Sequence, residues 1–302
     1  MSVAGLPTSP ADGVKAVPDA RRRGPASRPL ARAIRLRPRA SALVAVASLV
    51  GVAAFIWPLV LTGSSASTNL AHASDAPWIF MAVLPLLMAV VLAEIAEGAM
   101  DAKAVALLGI LAACGAALRV PSPGVAGFEP MFFLLILAGR VMGRGFGFVL
   151  GALTLAVSAL VTGGVGPWLP FQMFAAAWIG FGAGCLPDAR GKRELGLLAA
   201  YAAVASLLYG ALTNLWFWPF GAGTTTSFSF VPGAGLAENL HRFVLFDLAT
   251  SLGFDLPRAA TNVVLILVLG RPVLAALRRA SRRAVFDAPV EFTGEEPTAG
   301  HR

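Results

Sequence analysis

Apolar segments separated by short runs of Gly, Pro or charged residues make up most of the chain after residue 40. Eight of these segments are long enough, or nearly so, to cross roughly 30 Å of hydrocarbon. They cover residues 41–62, 78–95, 104–120, 128–140, 145–163, 170–187, 195–219 and 258–277. Because a membrane-spanning backbone must satisfy its own hydrogen bonds, each is expected to be an α-helix. The pattern predicts an all-α integral membrane protein with about eight transmembrane helices.

Two segments allow more than one interpretation. Segment 128–140 is short, so it is either tilted or begins within the preceding loop. Segment 240–256 has apolar residues at helical spacing with charged residues among them. It is either an amphipathic helix on the membrane surface or an extension of the last helix, kinked at Pro257.

The uncharged stretch 145–185 is interrupted once, by the sequence GGVGPWLPFQ at 163–172. Glycines and prolines favour a turn of fixed shape, while Trp168 and Gln172 supply groups that can recognise a polar molecule. The stretch therefore predicts two transmembrane helices joined by a shaped turn.

The composition agrees with a membrane protein and excludes several functions. Hydrophobic residues make up 57% and charged residues 13%, whereas roughly a quarter of residues are charged in soluble domains. The net charge of +8 comes from basic residues beside apolar segments, so nucleic-acid binding is not expected. Three histidines and the absence of a phosphate-binding G-x-x-x-x-G-K-[ST] motif indicate no metal, no cofactor and no ATP hydrolysis by this chain.

The positions of Lys and Arg predict the orientation. With the amino terminus inside, 21 of the 24 lie on the cytoplasmic side, and only Arg119, Arg242 and Arg258 lie outside. Eight crossings also return the carboxyl terminus to the cytoplasm of a bacterial cell, so both termini are expected there. The expected domains are a disordered basic tail at 1–39, a two-helix extension at 40–100, a six-helix core at 101–283 and a tail at 284–302.

A set of polar and aromatic residues collects near the predicted outer face. Aromatic anchoring and hydrogen bonds between helices explain some of them, but not the charged residues near helix ends. The charges either pair with each other or line a pocket for a polar solute. The candidate site residues are Arg119, Phe128, Glu129, Trp168, Gln172, Asn214, Trp216, Trp218, Asp255, Arg258 and Asn262.

Three helices carry small residues at every fourth position, which lets helix backbones approach closely. The series are Gly109, Ala113 and Ala117; Gly143, Gly147 and Gly151; and Ala176, Gly180 and Gly184, with Ala112 and Ala116 as a parallel ridge on the first helix. Spacing alone favours packing within the bundle over contact with a partner. The spacing does not exclude contact with a partner.

Four stretches carry a resemblance to a known family: DAKAVALLGILAACGAALRV at 101–120, GFEPMFFLLILAGRVMGRGFGFVLG at 127–151, GGVGPWLPFQMFAAAWIGFGAG at 163–184 and LLYGALTNLWFWPF at 207–220. From Asp101 onwards the chain resembles the substrate-binding S component of energy-coupling factor (ECF) vitamin transporters, of the actinobacterial type with two extra N-terminal helices. The resemblance implies a six-helix core that binds a vitamin or related micronutrient with high affinity. It also implies docking on a transmembrane T component with two ATPase subunits.

In that family an alanine-x-x-x-alanine motif on the first core helix contacts the T component. The matching positions are Ala112 and Ala116, with Ala113 and Ala117 in the adjacent register, so the resemblance favours a partner contact on this helix. Cobalamin-like, thiamin-related and riboflavin-like solutes all stay open.

Two other functions would each require features that are not evident in this sequence. A self-sufficient secondary transporter would require inverted repeats or carboxylates near the bilayer midplane, and 145–187 and 195–237 provide no such carboxylate. An intramembrane protease using Glu94 and Glu97 would require nearby histidines on the inner side. These two residues and Asp101 are better explained as a solvated acidic face, so no catalytic residue is expected.

Overall fold

The computed structural model describes residues 38–60, 89, 102–121, 125–221, 226–231 and 233–284. Within these ranges the ordered elements are helical, which confirms the all-α prediction. The helices are α1 (Pro38–Val60), α2 (Ala102–Arg119), α3 (Met131–Met142), α4 (Arg144–Thr162), α5 (Leu169–Cys185), α6 (Lys192–Gly221), α7 (Leu236–Thr250) and α8 (Leu252–Ala284). A 3-10 turn at Val125–Gly127 precedes α3.

Seven of the eight predicted crossings correspond to observed helices. Apart from residue 89, the crossing expected at 78–95 lies outside the described residues, as do Glu94, Glu97, Asp101 and most of both expected tails. Four described helical segments are long and apolar enough to span a membrane: Ala102–Arg119, Arg144–Thr162, Lys192–Trp218 and Leu252–Arg282. The chain is therefore a membrane-embedded helical protein.

Helix α3 is short because it lies inside the bundle. Its 12 residues rise about 18 Å, and all of them except Val141 are buried. It starts at Met131, after Pro130, rather than within the preceding loop, and it ends at Met142, before Gly143. Since protein surrounds α3, its length does not have to match the thickness of the hydrocarbon.

The ridges of small residues on α4 and α5 pack against each other. A Cβ atom built on Gly147 would overlap the backbone carbonyl of Gly180, and one on Gly180 would overlap that of Gly147. One turn further along, Gly151 has the same relation to Ala176. The prediction of internal packing is confirmed for these two helices.

Helix α2 divides its small residues between two faces. Ala112 and Ala116 are buried, and on the same side Gly115 packs against the Thr154 side chain of α4. Gly109, Ala113 and Ala117 lie on the exposed face. Of the two registers of small residues on α2, the one formed by Gly109, Ala113 and Ala117 lies on the surface of the bundle in this conformation.

Segment 240–256 combines parts of both predicted alternatives. Residues 236–250 form a separate helix, α7, and the chain turns at Ser251. The last helix begins at Leu252, so it extends five residues before Pro257. Pro257 is the sixth residue of this helix, beyond its first turn, so it removes one amide that would otherwise bond to the Gly253 carbonyl.

One end of the bundle is held by a buried carboxylate between two arginines. Glu194 of α6 accepts from Arg140 Nε of α3 at 3.0 Å and from an Arg278 terminal nitrogen of α8 at 2.6 Å. Arg140 also donates to the carbonyl of Leu186, just after α5, at 2.9 Å. We call this the Arg140 end; the opposite end contains Arg119.

Candidate functional site

A buried carboxylate also organises the Arg119 end. Glu129 precedes α3 and is 2% exposed. It accepts from Nε of Arg119, at the end of α2, at 3.3 Å, and from Nε of Arg258, on α8, at 2.6 Å. Both arginine side chains are also more than nine-tenths buried. Three segments that are distant in sequence are therefore joined by ion pairs.

Asp255 extends these ion pairs along α8. It pairs with Arg258 and accepts from the Ser251 hydroxyl at 2.7 Å. Arg258 also donates to the Ser206 carbonyl of α6 at 3.3 Å. Together the two arginines and two carboxylates balance in charge, which is how ionised groups are tolerated away from water.

Asn262 ties the backbone of α3 to the same site. Its amide nitrogen donates to the Glu129 carbonyl at 3.1 Å and to the Arg258 carbonyl at 2.8 Å. Its side-chain oxygen accepts from the Phe133 backbone N–H at 2.7 Å, which satisfies one of the free amides at the start of α3. We call Arg119, Glu129, Asp255, Arg258 and Asn262 the ion network.

Two glycines make room for the ion network. A Cβ on Gly210 of α6 would overlap the Asp255 carboxylate, so this carboxylate lies directly on the α6 backbone. Gly127 has φ +73° and would overlap the Phe254 carbonyl of α8 if it carried a side chain. Only glycine meets both requirements at residue 127.

Two hydroxyl groups beside the ion network were not identified from the sequence. Tyr209 lies under the Arg258 guanidinium, which is 5.1 Å from the ring centroid, and its ring meets Phe132 edge-on at 4.7 Å. The Tyr209 and Ser206 side chains are buried, and neither hydroxyl has a hydrogen-bond partner within the described structure. A buried hydroxyl without a partner costs about 1–3 kcal/mol, so the pair requires an explanation. Their position three residues apart on an apolar helix gave no distinguishing signal.

The predicted turn at 163–172 forms as a compact structure. Gly163 ends α4 in a left-handed conformation, and the Trp168 ring lies over the turn. Trp168 Nε1 donates to the Gly164 carbonyl at 3.1 Å, and 43% of the residue is exposed. Gln172 is partly buried in the first turn of α5. The turn presents an aromatic surface, and the indole hydrogen bond of Trp168 stays within the turn.

The remaining candidates have different surroundings. Phe128 is exposed beside Glu129, and Trp216 is partly buried against Phe171 at 5.3 Å between ring centroids. Trp218 is fully buried and donates from its indole nitrogen to the Phe228 carbonyl at 2.6 Å. In this conformation it contributes packing rather than an accessible aromatic surface.

Asn214 connects α6 to α7. Its amide nitrogen donates to Asp247 at 2.8 Å. Burial raises the pKa of Asp247, the hydrogen bond from Asn214 opposes this effect, and the nearby Asp255 charge adds to it. Asp247 therefore holds a proton to higher pH than an exposed aspartate does.

Comparison with known protein families gives a match over much of the chain. Residues 103–270 match the family described as ECF transporter, substrate-specific component. The match covers more than half of the 302 residues, from the start of α2 to within α8, and so includes every residue of the ion network. No curated protein and no solved structure matches the chain significantly.

Proposed function

Because the chain belongs to the substrate-specific components of ECF transporters, we propose that it is the high-affinity solute-binding subunit of an ATP-driven importer for a vitamin or related micronutrient. Substrate-specific components are transport subunits rather than enzymes. The observation that carries the proposal is the Arg119 end. There a charge-balanced network lies beside two hydroxyl groups, of Tyr209 and Ser206, which are buried without partners.

The proposed solute site is at the Arg119 end. A solute that offers acceptors or donors to Tyr209 and Ser206 would satisfy groups that otherwise cost free energy, which favours the bound state. Phe128 and Trp168 offer exposed aromatic surfaces at the same end for a ring system. This combination suits a heterocyclic solute, and cobalamin-like, thiamin-related and riboflavin-like molecules are the classes to test.

The proposed orientation places the Arg119 end outside the bacterial cell and both termini in the cytoplasm. The described helix ends at the Arg140 end carry the exposed basic residues Lys103, Arg144, Lys192, Arg193, Arg279 and Arg282. Basic residues near helix ends are retained on the cytoplasmic side. Solute would thus be captured from outside.

The proposed partners are a T component and two ATPase subunits, which supply the ATP hydrolysis. Helix α2 offers Gly109, Ala113 and Ala117 on an exposed face, where small side chains permit close backbone contact with another membrane helix. Since Ala112 and Ala116 are buried in the bundle, we assign the contact to the exposed register.

We expect the Ala113→Leu, Ala117→Leu double variant to lose association with the T component while keeping its fold. The added side chains point away from the bundle, so they hold a partner helix at a distance. The measurement is co-purification of the T component and ATPase subunits when all are expressed together.

The matched control is the Ala112→Leu, Ala116→Leu double variant. It places the same bulk inside the bundle, so its thermal stability is expected to fall. Normal association of the Ala113→Leu, Ala117→Leu variant would mean that the exposed face of α2 does not contact the T component.

We expect the purified protein alone to bind one vitamin without ATP, with a dissociation constant in the nanomolar to micromolar range. The measurement is equilibrium binding to the nanodisc-reconstituted protein, using riboflavin, thiamin and cyanocobalamin as separate probes. No binding to these or to a wider vitamin panel, together with no co-purifying ATPase subunits, would refute the proposed function.

The conservative variant Tyr209→Phe tests the position of the site. It removes only the hydroxyl, and the free protein loses no hydrogen bond by the change. If the solute bonds to this hydroxyl, affinity falls about five- to tenfold, as expected for one hydrogen bond. Unchanged affinity would place the solute elsewhere.

A further inference from the structure

Helix α1 lies outside the matched region 103–270, yet it packs closely on the core. A Cβ built on Gly51 would lie 3.0 Å from the Phe174 ring of α5. The Trp178 indole nitrogen, also on α5, donates to the Ser48 hydroxyl at 3.1 Å. A specific polar contact and a close glycine contact fix the rotation of α1 about its axis.

Phe55 continues this contact with aromatic side chains of α5. Its ring is 5.1 Å from Phe171, edge-on, and 5.7 Å from Trp178, measured between centroids. Such aromatic pairs stabilise a contact beyond the area that they bury. Phe55 is 2% exposed, whereas Leu49 on the same helix is 70% exposed. One face of α1 therefore belongs to the interior of the bundle.

The last turn of α1 reaches α7. Leu59 is buried in a cluster with Trp218 of α6 and with Phe243 and Phe246 of α7. The Trp218 ring meets Phe243 edge-on at 5.5 Å. The apolar face of α7 thus packs on residues from both α6 and α1. We call Leu59 and Trp218, on which Phe243 and Phe246 of α7 pack, the α7 seat.

Helix α7 is in turn coupled to the ion network. The Ser251 hydroxyl, directly after α7, donates to Asp255, and Asp247 of α7 accepts from Asn214 of α6. A displacement of α7 from its seat would pull on Ser251 and hence on the carboxylate that pairs with Arg258. A continuous path of contacts therefore runs from the α7 seat to the ion network.

We propose that α1 is a functional part of the Arg119 end, in which Leu59 holds α7 on its seat and α7 holds the ion network in place. Helix α1 is then a positioning element of the binding subunit rather than an appended anchor. Its effect on solute retention rests on the proposed function, whereas its effect on α7 does not.

The test compares Leu59→Ala with Leu49→Ala on the same helix. In nanodiscs we expect Leu59→Ala to raise amide hydrogen exchange in 236–250 about tenfold or more, because the truncation leaves a void in the α7 seat. Exchange in α3 and α5 should stay unchanged. Leu49→Ala removes an exposed side chain and should leave all three segments at the wild-type rate.

A second readout concerns solute retention. The probe is whichever of riboflavin, thiamin and cyanocobalamin binds the wild type. It should dissociate faster from Leu59→Ala than from the wild type. It should dissociate from Leu59→Met at the wild-type rate, because methionine refills the void. The proposal is overturned if residues 236–250 of Leu59→Ala exchange at the wild-type rate, or if exchange in this variant rises uniformly over the whole bundle. If none of the probes binds, the exchange result still decides the role of α1. Failure of the proposed function is therefore distinguishable from failure of the proposal for α1.

Discussion

Glu129→Gln is expected to lower the free energy of unfolding by about 3 kcal/mol, the low end of the cost of breaking a buried ion pair. The amide keeps the shape of the side chain but removes the charge shared by Arg119 and Arg258. Of the two carboxylates of the ion network, Asp255 alone then keeps its charge, and it pairs with Arg258. The measurement is unfolding of the reconstituted protein by steric trapping or thermal denaturation, with bound vitamin measured in parallel.

The matched control is Glu238→Gln on α7. Glu238 also pairs with an arginine, Arg242, at 2.9 Å, but its side chain is 54% exposed. An exposed ion pair one helical turn apart contributes about 0.3–0.5 kcal/mol, so this variant should be nearly neutral. Equal effects of the two substitutions would contradict the assignment of Glu129 as the centre of a buried network.

The composition of the ion network could be predicted, but its pairing could not. Arg119, Glu129, Asp255 and Arg258 stand out because they are charged residues near helix ends on a side with few basic residues. Whether they pair or point into a pocket depends on the packing of α2, α3 and α8. Glu129 and Arg258 are separated by 129 residues, a distance over which helical periodicity carries no information.

The helices themselves could be predicted because length and apolarity report on them directly. The exceptions have physical causes. Helix α3 is short because protein rather than lipid surrounds it, and α7 mixes polar and apolar residues because it packs on other helices along only one face. In both cases the surroundings of the helix decide its form, and a single segment of sequence does not specify them.

Small residues at every fourth position had the same appearance on three helices and different structural roles. Those of α4 and α5 face each other, whereas those of α2 divide between a buried and an exposed register. The spacing predicts a surface that permits close approach. It does not identify the partner, since the partner depends on how each helix is rotated in the bundle.

Gly180→Ala is expected to be the second strongly destabilising substitution, costing about 2–3 kcal/mol, as for overpacking of a rigid interior. The added methyl group would overlap the backbone carbonyl of Gly147, which cannot rotate away, so α4 and α5 must separate along their contact. Thermal denaturation and steric trapping measure the loss. Gly109→Ala is the control: a Cβ there meets no atom within 4 Å, so the better helix former should be neutral or slightly stabilising.

The partner substitution tests the geometry further. Gly147→Ala should cost a similar amount, because its methyl group would overlap the Gly180 carbonyl. Once the helices have separated for one methyl group, the second finds space already opened, so the double variant should lose less than the sum of the two single losses. Strict additivity would mean that the two glycines do not share one contact. A loss for Gly109→Ala as large as that for Gly180→Ala would mean that helix propensity, rather than close approach of α4 and α5, decides the result.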